Sequence, residues 1–318
     1  MTKKNQRYVS GNPAKRGSAA TPAPRPVTFG DWVGAARLRT LPLAVAPVLI
    51  GTGAAVRDDV DHRFHWVIAL ACLIVAVALQ IGVNFANDYS DGIRGTDDER
   101  IGPARLTASG RVSPRAVLTA ALIFFAVAAV AGLAITIRTQ QWWLIGVGLV
   151  CIVAAWFYTG GKRPYGYNAL GEVFVFVFFG LVATLGTTWV QSQSLPQEAW
   201  FGAIGAGSLA CAVLLANNLR DIDQDRLVGK RTLTVLIGRL GTKLLYTFFL
   251  LVALAVIVFV AFVAYPVAWL ALLALLALGP ALIIVWSHRA PGELVPALAL
   301  TSIGALGYAA ILATAYVI

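Results

Sequence analysis

Carboxylates are scarce in this chain: its 318 residues hold only 15 Asp and Glu against 25 Lys and Arg, for a formal net charge of +10. Cysteine and histidine are rarer, at three each. Cys72, Cys151 and Cys211 all fall inside apolar stretches, which argues against a disulfide framework or a thiolate metal site. His62, His65 and His288 stand as isolated loop residues and offer no histidine-built metal centre. Residues 1–30 lack an apolar core and are rich in Lys, Arg, Pro, Ala and Ser. That composition predicts a disordered basic tail, not a cleavable signal peptide, which needs an apolar stretch at that point. A nucleotide loop is missing too. Gly229-Lys230-Arg231-Thr232 has Gln224 where the first glycine of that motif belongs and Arg231 in place of Ser or Thr, so a nucleotide triphosphatase is excluded.

Apolar length is what the chain has in excess. Hydrophobic residues make up 58% of it and mean hydropathy is +0.76, which predicts an all-α polytopic membrane protein. Nine candidate transmembrane helices read as 37–56, 66–86, 114–137, 141–159, 168–190, 197–216, 243–263, 266–286 and 295–318, most of them reaching the ~20 apolar residues that a crossing needs. The organisation expected is a cytoplasmic tail over 1–30 and one transmembrane domain over 31–318. With the N-terminus in the cytoplasm, only Arg57, Arg63 and Arg138 among all Lys and Arg fall on the opposite side. This is a positive-inside pattern for a multi-pass protein of the plasma membrane. Charge laid out as topology in this way argues against nucleic-acid binding.

The few carboxylates are concentrated where they cost most. Asn87-Asp88-Tyr89-Ser90-Asp91 closes the second apolar stretch, and Asn217 to Asp225, with Asp221, Asp223 and Asp225, closes the sixth. Carboxylates beside bilayer-grade segments cost free energy unless they face a polar cavity, a cation or each other, so they are functional candidates by default. Asn87 and Asp91 are four apart, and Asn217, Asp221 and Asp225 step by four again, so each set shares a helix face. Two such faces pointing at one cavity would make an all-oxygen site suited to Mg²⁺. Asn84 extends the first set, while Asp98, Glu99 and Asp223 read as solvated. Adding 130 maps Asn87 onto Asn217, Asp91 onto Asp221 and Arg100 onto Lys230, which suggests duplicated helix bundles around a central cavity. Both motifs follow an even-numbered span, which disfavours an inverted transporter repeat.

Cations mixed with metal-binding carboxylates fit a diphosphate. Mg²⁺ bridges carboxylate and phosphate oxygens while Arg and Lys take the rest. Arg94, Arg105, Arg111, Arg163, Arg220, Arg226 and Arg231 surround the site, and Arg100, Lys162 and Lys230 are the expected phosphate ligands. The segment 156–167 (WFYTGGKRPYGY) turns at Gly-Gly and Arg-Pro. Its aromatics, Tyr158 among them, either form an interfacial belt or line the cavity, where ring faces could stabilise a carbocation. Glu172, just inside the fifth span, is expected to bind substrate or to pair with Lys162 or Arg163. Arg37 and Arg39 are accounted for by topology, with an acidic aromatic substrate as the sharper alternative. Gly202, Gly205 and Gly207 are expected to mark close helix packing, within the chain or between copies of a homo-oligomer.

Taken together these residues resemble the UbiA superfamily of intramembrane aromatic prenyltransferases. That family carries Asn-Asp-x-x-Asp-x-x-x-Asp after its second helix and Asp-x-x-x-Asp after its sixth. Asn87, Asp88 and Asp91 match the first motif, and Asp221 and Asp225 match the second. Gly95 stands where the last aspartate of the first motif belongs, with Asp97 two residues on, which puts a ligand role for Asp97 in doubt. The segments ARLRTLP from Ala36, NFANDYSDGIRGTD from Asn84, YTGGKRPYGY from Tyr158, Gly171-Glu172 and NNLRDIDQDRLVGKRTL from Asn217 look closest to the branch that prenylates 1,4-dihydroxy-2-naphthoate. The resemblance implies nine helices in a ring around a cavity that opens laterally to lipid. It implies Mg²⁺ held by Asn87, Asp88, Asp91, Asp221 and Asp225, with those four aspartates as the catalytic set. Asn84, Asn87, Arg100, Tyr158, Lys162, Glu172, Asn217 and Lys230 would bind substrate. The activity implied is transfer of a polyprenyl group from polyprenyl diphosphate to 1,4-dihydroxy-2-naphthoate with loss of CO₂, giving demethylmenaquinone. A sibling enzyme acting on 4-hydroxybenzoate or homogentisate is the nearer alternative, and a transporter of an anionic metabolite the distant one.

Overall fold

The computed structural model describes residues 26–95 and 105–318. Among the described residues the chain is helical, with one isolated β-bridge between Asn168 and Arg231. It opens with a short helix α1 (Phe29–Ala35), capped by the Thr28 side chain. There follow α2 (Pro42–Asp58), α3 (Trp66–Arg94), α4 (Pro114–Thr139) and α5 (Leu144–Phe157). Next come α6 (Gly171–Val175) and α7 (Ala183–Ser192), joined by a π-helical turn over Phe176–Val182 into one rod. The chain ends with α8 (Gln197–Leu227), α9 (Leu233–Val263), α10 (Leu275–Ser287) and α11 (Leu294–Val317).

Seven rods among the described residues are long and apolar enough to cross a membrane, or eight if the bent pair Phe29–Thr40 and Pro42–Asp58 counts as one span. The protein is therefore an integral membrane protein. Every one of the nine expected segments contains helix, but two fall short of full spans for identifiable reasons. The first begins at Pro42, not at 37, because Arg37 takes the left-handed conformation (φ 55°) and the pieces meet at 47°. The fourth, α5, has only 14 residues, a rise of roughly 21 Å against a hydrocarbon core of ~30 Å. Trp142 and Trp143 sit in the turn before it, and the Gly160-Gly161 turn follows its end.

Two helices overshoot in the other direction. Helices α3 and α8 run for 29 and 31 residues, roughly 43–46 Å, so each carries its acidic face beyond the apolar stretch on an unbroken helix. Gly95 stops α3 as a left-handed C-cap (φ 70°), its N–H returning to the Asp91 and Gly92 carbonyls. Glycine takes that conformation without the steric penalty a Cβ brings.

Helix α8 is the hub. It packs against α2, α7, α9 and α11 as well as the π-helical turn, and most of its residues are buried between them. Small residues allow this. A Cβ on Gly202 would meet Ile50, one on Gly205 would meet the Tyr308 hydroxyl, and one on Gly207 would meet Phe176 and Gly180. The three glycines thus serve packing inside the chain. On the other side of the molecule α3 and α4 pack along their length, and α5 touches only α3 and α4 closely.

The α2–α11 contact is equally tight, since a Cβ on Gly53 would sit 2.6 Å from the Ala313 carbonyl oxygen and 2.8 Å from its Cα. Backbone atoms cannot swing aside, so Gly53→Ala should lower the thermal unfolding midpoint in detergent by several degrees, an overpacking cost of about 1–3 kcal/mol. Gly307→Ala, which meets open space, should leave that midpoint unchanged or slightly raised.

Candidate active site

Four polar side chains run down one face of α3 at positions 80, 84, 87 and 91, a spacing of four, three and four. Each finds a partner outside its own helix. Gln80 donates to the Thr40 hydroxyl (3.1 Å) and Asn84 to the Ala36 carbonyl (2.9 Å), which ties the bent α1–α2 junction to α3. The Asn87 carbonyl oxygen accepts from the Thr159 hydroxyl at 2.7 Å. Asp91 accepts from the Tyr167 hydroxyl at 2.6 Å and has the Arg105 guanidinium 3.8 Å away. Gln80 escaped the sequence reading because it lies deep in an apolar run. The signal for it was that same face, extended inward by one turn.

The facing set comes from α8. Arg220 grips Asp221 with two N–H donors at 2.7 Å each and also donates to Asn217 at 2.9 Å. Such forked guanidinium–carboxylate pairs are short and directional. Asp225 has the Lys230 ammonium 3.7 Å away, and the Lys230 N–H also bonds the Asp225 carbonyl. Asp223, on another face, is exposed and pairs with Arg239 at 2.6 Å.

Between the two helix ends lies the loop 158–170. Arg94, at the end of α3, donates to the carbonyls of Thr159 and Gly161. At the far side of the loop the Tyr167 carbonyl accepts from Arg231 at 3.0 Å. The ring of Tyr165 stacks on Phe174 at 3.9 Å between centroids, and Tyr158 meets it edge-on at 5.5 Å. Burial pushes the Tyr165 phenol above its ordinary range, and its hydroxyl donates to the Ala154 carbonyl at 2.8 Å.

These elements enclose one cavity of about 850 Å³. Asn84, Asn87, Asp91, Tyr158, Asn217, Asp221, Asp225 and Lys230 all line it, joined by Arg37, Gln80, Arg105 and Arg220. Most of the rest of the wall is apolar and includes Val48, Cys72, Ile135, Phe178 and Val190. A smaller apolar groove of about 400 Å³ lies beside α5 and shares Leu149, Ala154, Tyr165, Phe174 and Phe178 with the main cavity.

Three expected site residues are not brought to the cavity, and each has a physical reason. Asp88 is fully buried on another face of α3, where its two oxygens accept the Leu106 and Thr107 N–H groups at 2.9 Å each. It anchors the chain leading into α4. Glu172 is buried behind the wall and accepts from Asn218 at 3.1 Å, not from Lys162 or Arg163. Lys162 is exposed at the tip of the loop. Arg100 and Asp97 lie outside the described residues.

Among the described residues, no three His, Cys, Asp or Glu side chains gather closely enough to hold a metal ion by themselves. That suits Mg²⁺, which takes one or two carboxylates plus substrate phosphates and keeps several waters instead of needing an all-protein cage. Carboxylate and carboxamide oxygens from α3 and α8 line the same space, and hard oxygen donors are what this ion takes.

Comparison with known proteins follows the geometry. The model of the UbiA prenyltransferase family matches residues 44–303. The chain is 53% identical over 226 residues to the 1,4-dihydroxy-2-naphthoate octaprenyltransferase of Mycobacterium tuberculosis, covering 71% of this chain and 76% of that one. It is 39% identical over 219 residues to the enzyme of the same name from Escherichia coli, covering 67% and 70%. Among solved structures, a UbiA homolog from Aeropyrum pernix K1 superposes with a TM-score of 0.64 at 16% identity, covering 88% of this chain and 98% of that one. A UbiA homolog from Archaeoglobus fulgidus bound to GPP and Mg²⁺ gives 0.62 at 14% identity, covering 88% and 99%. With the paired acidic faces in one intramembrane cavity and this breadth of similarity, the chain belongs to the UbiA prenyltransferase family.

Proposed function

We propose that the chain transfers a polyprenyl group from polyprenyl diphosphate to 1,4-dihydroxy-2-naphthoate, with loss of CO₂ and diphosphate, to give the quinol form of demethylmenaquinone. The observation that carries this reading is the shared cavity, which has acid and base at one end and a long apolar body at the other. The names of the relatives from two bacteria support the naphthoate as acceptor. In this reading α2, α5 and the seven rods form nine spans in a ring, with the acidic end at the cytoplasmic face of the plasma membrane. The positive-inside charge distribution supports that orientation.

Asn87 and Asp91 on α3 and Asp221 and Asp225 on α8 line the cavity and would offer oxygen ligands to Mg²⁺ ions bound together with the diphosphate. Asp88 is left out of the set because it is fully buried away from the cavity, its oxygens facing the Leu106 and Thr107 N–H groups. Bound Mg²⁺ supplies charge neutralisation of the departing diphosphate. Lys230, Arg105 and Arg220 line the same cavity and would offer donors to the phosphate oxygens, adding to the same electrostatic stabilisation. The C–O bond breaks, and the resulting allylic cation needs a dry chamber, which the apolar wall provides. The ring faces of Tyr158, Tyr165 and Phe174 each stabilise it by roughly 0.5–2 kcal/mol. The electron-rich ring attacks through the carbon that bears the carboxylate, so CO₂ leaves and no strong general base is required. Among the described residues lining the cavity there is no histidine, which fits that chemistry. The isoprenoid passes to the bilayer through the groove beside α5 that shares a wall with the cavity.

Purified protein given Mg²⁺, a prenyl diphosphate and dihydroxynaphthoate should release CO₂ and form prenylated naphthoquinol. Product from 4-hydroxybenzoate or homogentisate alone would reassign the acceptor, and anion counterflow without product would reassign the protein as a transporter. Asp91→Ala and Asp221→Ala should each lower Mg²⁺-dependent turnover at least about 100-fold. Asp88→Ala should instead show itself first in the melting curve, because two buried N–H groups lose their acceptor at about 1–3 kcal/mol each. An Asp88→Ala protein with wild-type stability and no divalent-ion binding would return Asp88 to the metal set.

A further inference from the structure

Tyr167 does not line the cavity, yet three parts of the site cross at it. Its hydroxyl donates to Asp91 at 2.6 Å. The Lys230 ammonium lies 4.6 Å from its ring centroid and the Arg94 guanidinium carbon 5.5 Å from it. Its carbonyl accepts from the Arg231 N–H, and the next residue, Asn168, forms the β-bridge to Arg231. Asp91 belongs to α3, while Lys230 and Arg231 follow α8 and Lys230 pairs with Asp225. One side chain therefore touches Asp91 of the first acidic face and the lysine that pairs with Asp225 of the second.

We propose that Tyr167 is a positioning residue that sets the spacing between the two acidic faces. Its hydroxyl fixes one Asp91 oxygen and so aims the other, and its ring is the platform on which Lys230 waits beside Asp225. The two contacts separate cleanly by chemistry. A phenylalanine keeps the ring and its attraction for cations but loses the donor. A leucine loses both. This inference rests on the proposed reading that Asp91 and Asp225 share a divalent ion with a diphosphate.

The test uses the full-length chain in detergent. Mn²⁺ binding is followed by electron paramagnetic resonance with saturating inorganic diphosphate present, and KM for prenyl diphosphate is measured at saturating Mg²⁺. Tyr167→Phe should weaken Mn²⁺ binding roughly tenfold, the scale of one hydrogen bond to a charged group, with an unchanged KM for the diphosphate. Tyr167→Leu should weaken Mn²⁺ binding equally and also raise that KM several-fold, an effect the phenylalanine rescues. Wild-type Mn²⁺ affinity in Tyr167→Phe would overturn the proposal. So would a lowered melting midpoint with unaltered affinity, which marks a merely structural residue. If the unsubstituted chain binds no Mn²⁺, the reading of the site falls and this inference with it.

Discussion

The site depends on a bracket made of loop 158–170. Helices α3 and α8 each deliver an acidic face to the same end of the cavity, and the loop between α5 and α6 spans them. Arg94 holds one side of the loop through two carbonyls, and Arg231 holds the other through the Tyr167 carbonyl. The Arg94 contacts are charged guanidinium donors on backbone acceptors, among the stronger hydrogen bonds available to a protein, while Arg231 contributes its backbone N–H. That bracket ties the ends of α3 and α8 together at the point where their acidic faces converge.

Two features of the helices supply the convergence itself. Each acidic helix is longer than the membrane core, so its polar side chains reach the interface without breaking backbone hydrogen bonds in lipid. The second is the close approach permitted along α8, where glycine and alanine face α2, α11 and the π-helical turn. Lipid tails are as apolar as leucine, so packing of small residues is what drives helix association in a bilayer. A tightly held α8 gives Asp221 and Asp225 a rigid base.

The acidic faces were legible because a carboxylate in a hydrophobic run has few reasons to be there and helical spacing shows which ones align. Asp91, Asp221 and Asp225 line the cavity as that logic requires. Asp88 shows its limit. Composition placed Asp88 with its neighbours, but one step along a helix turns a side chain by 100°, and it faces two backbone amides instead of the cavity. Glu172 was misread for a related cause: its partner Asn218 is distant in sequence, and only the fold brings them together. Hydropathy located the helical segments but could not see that Arg37 would break the first or that a double glycine would help to shorten the fourth.

The brevity of α5 has a consequence for the lipid around it. A rod of roughly 21 Å beside neighbours that cross fully leaves a notch in the protein's outer profile, and the bilayer must pinch or fill it with acyl chains. Acyl chains filling a notch are mobile and easily exchanged for another hydrocarbon of similar width. A long isoprenoid emerging there would trade places with a lipid tail, not push a helix aside, so its departure need not involve any large movement of the protein.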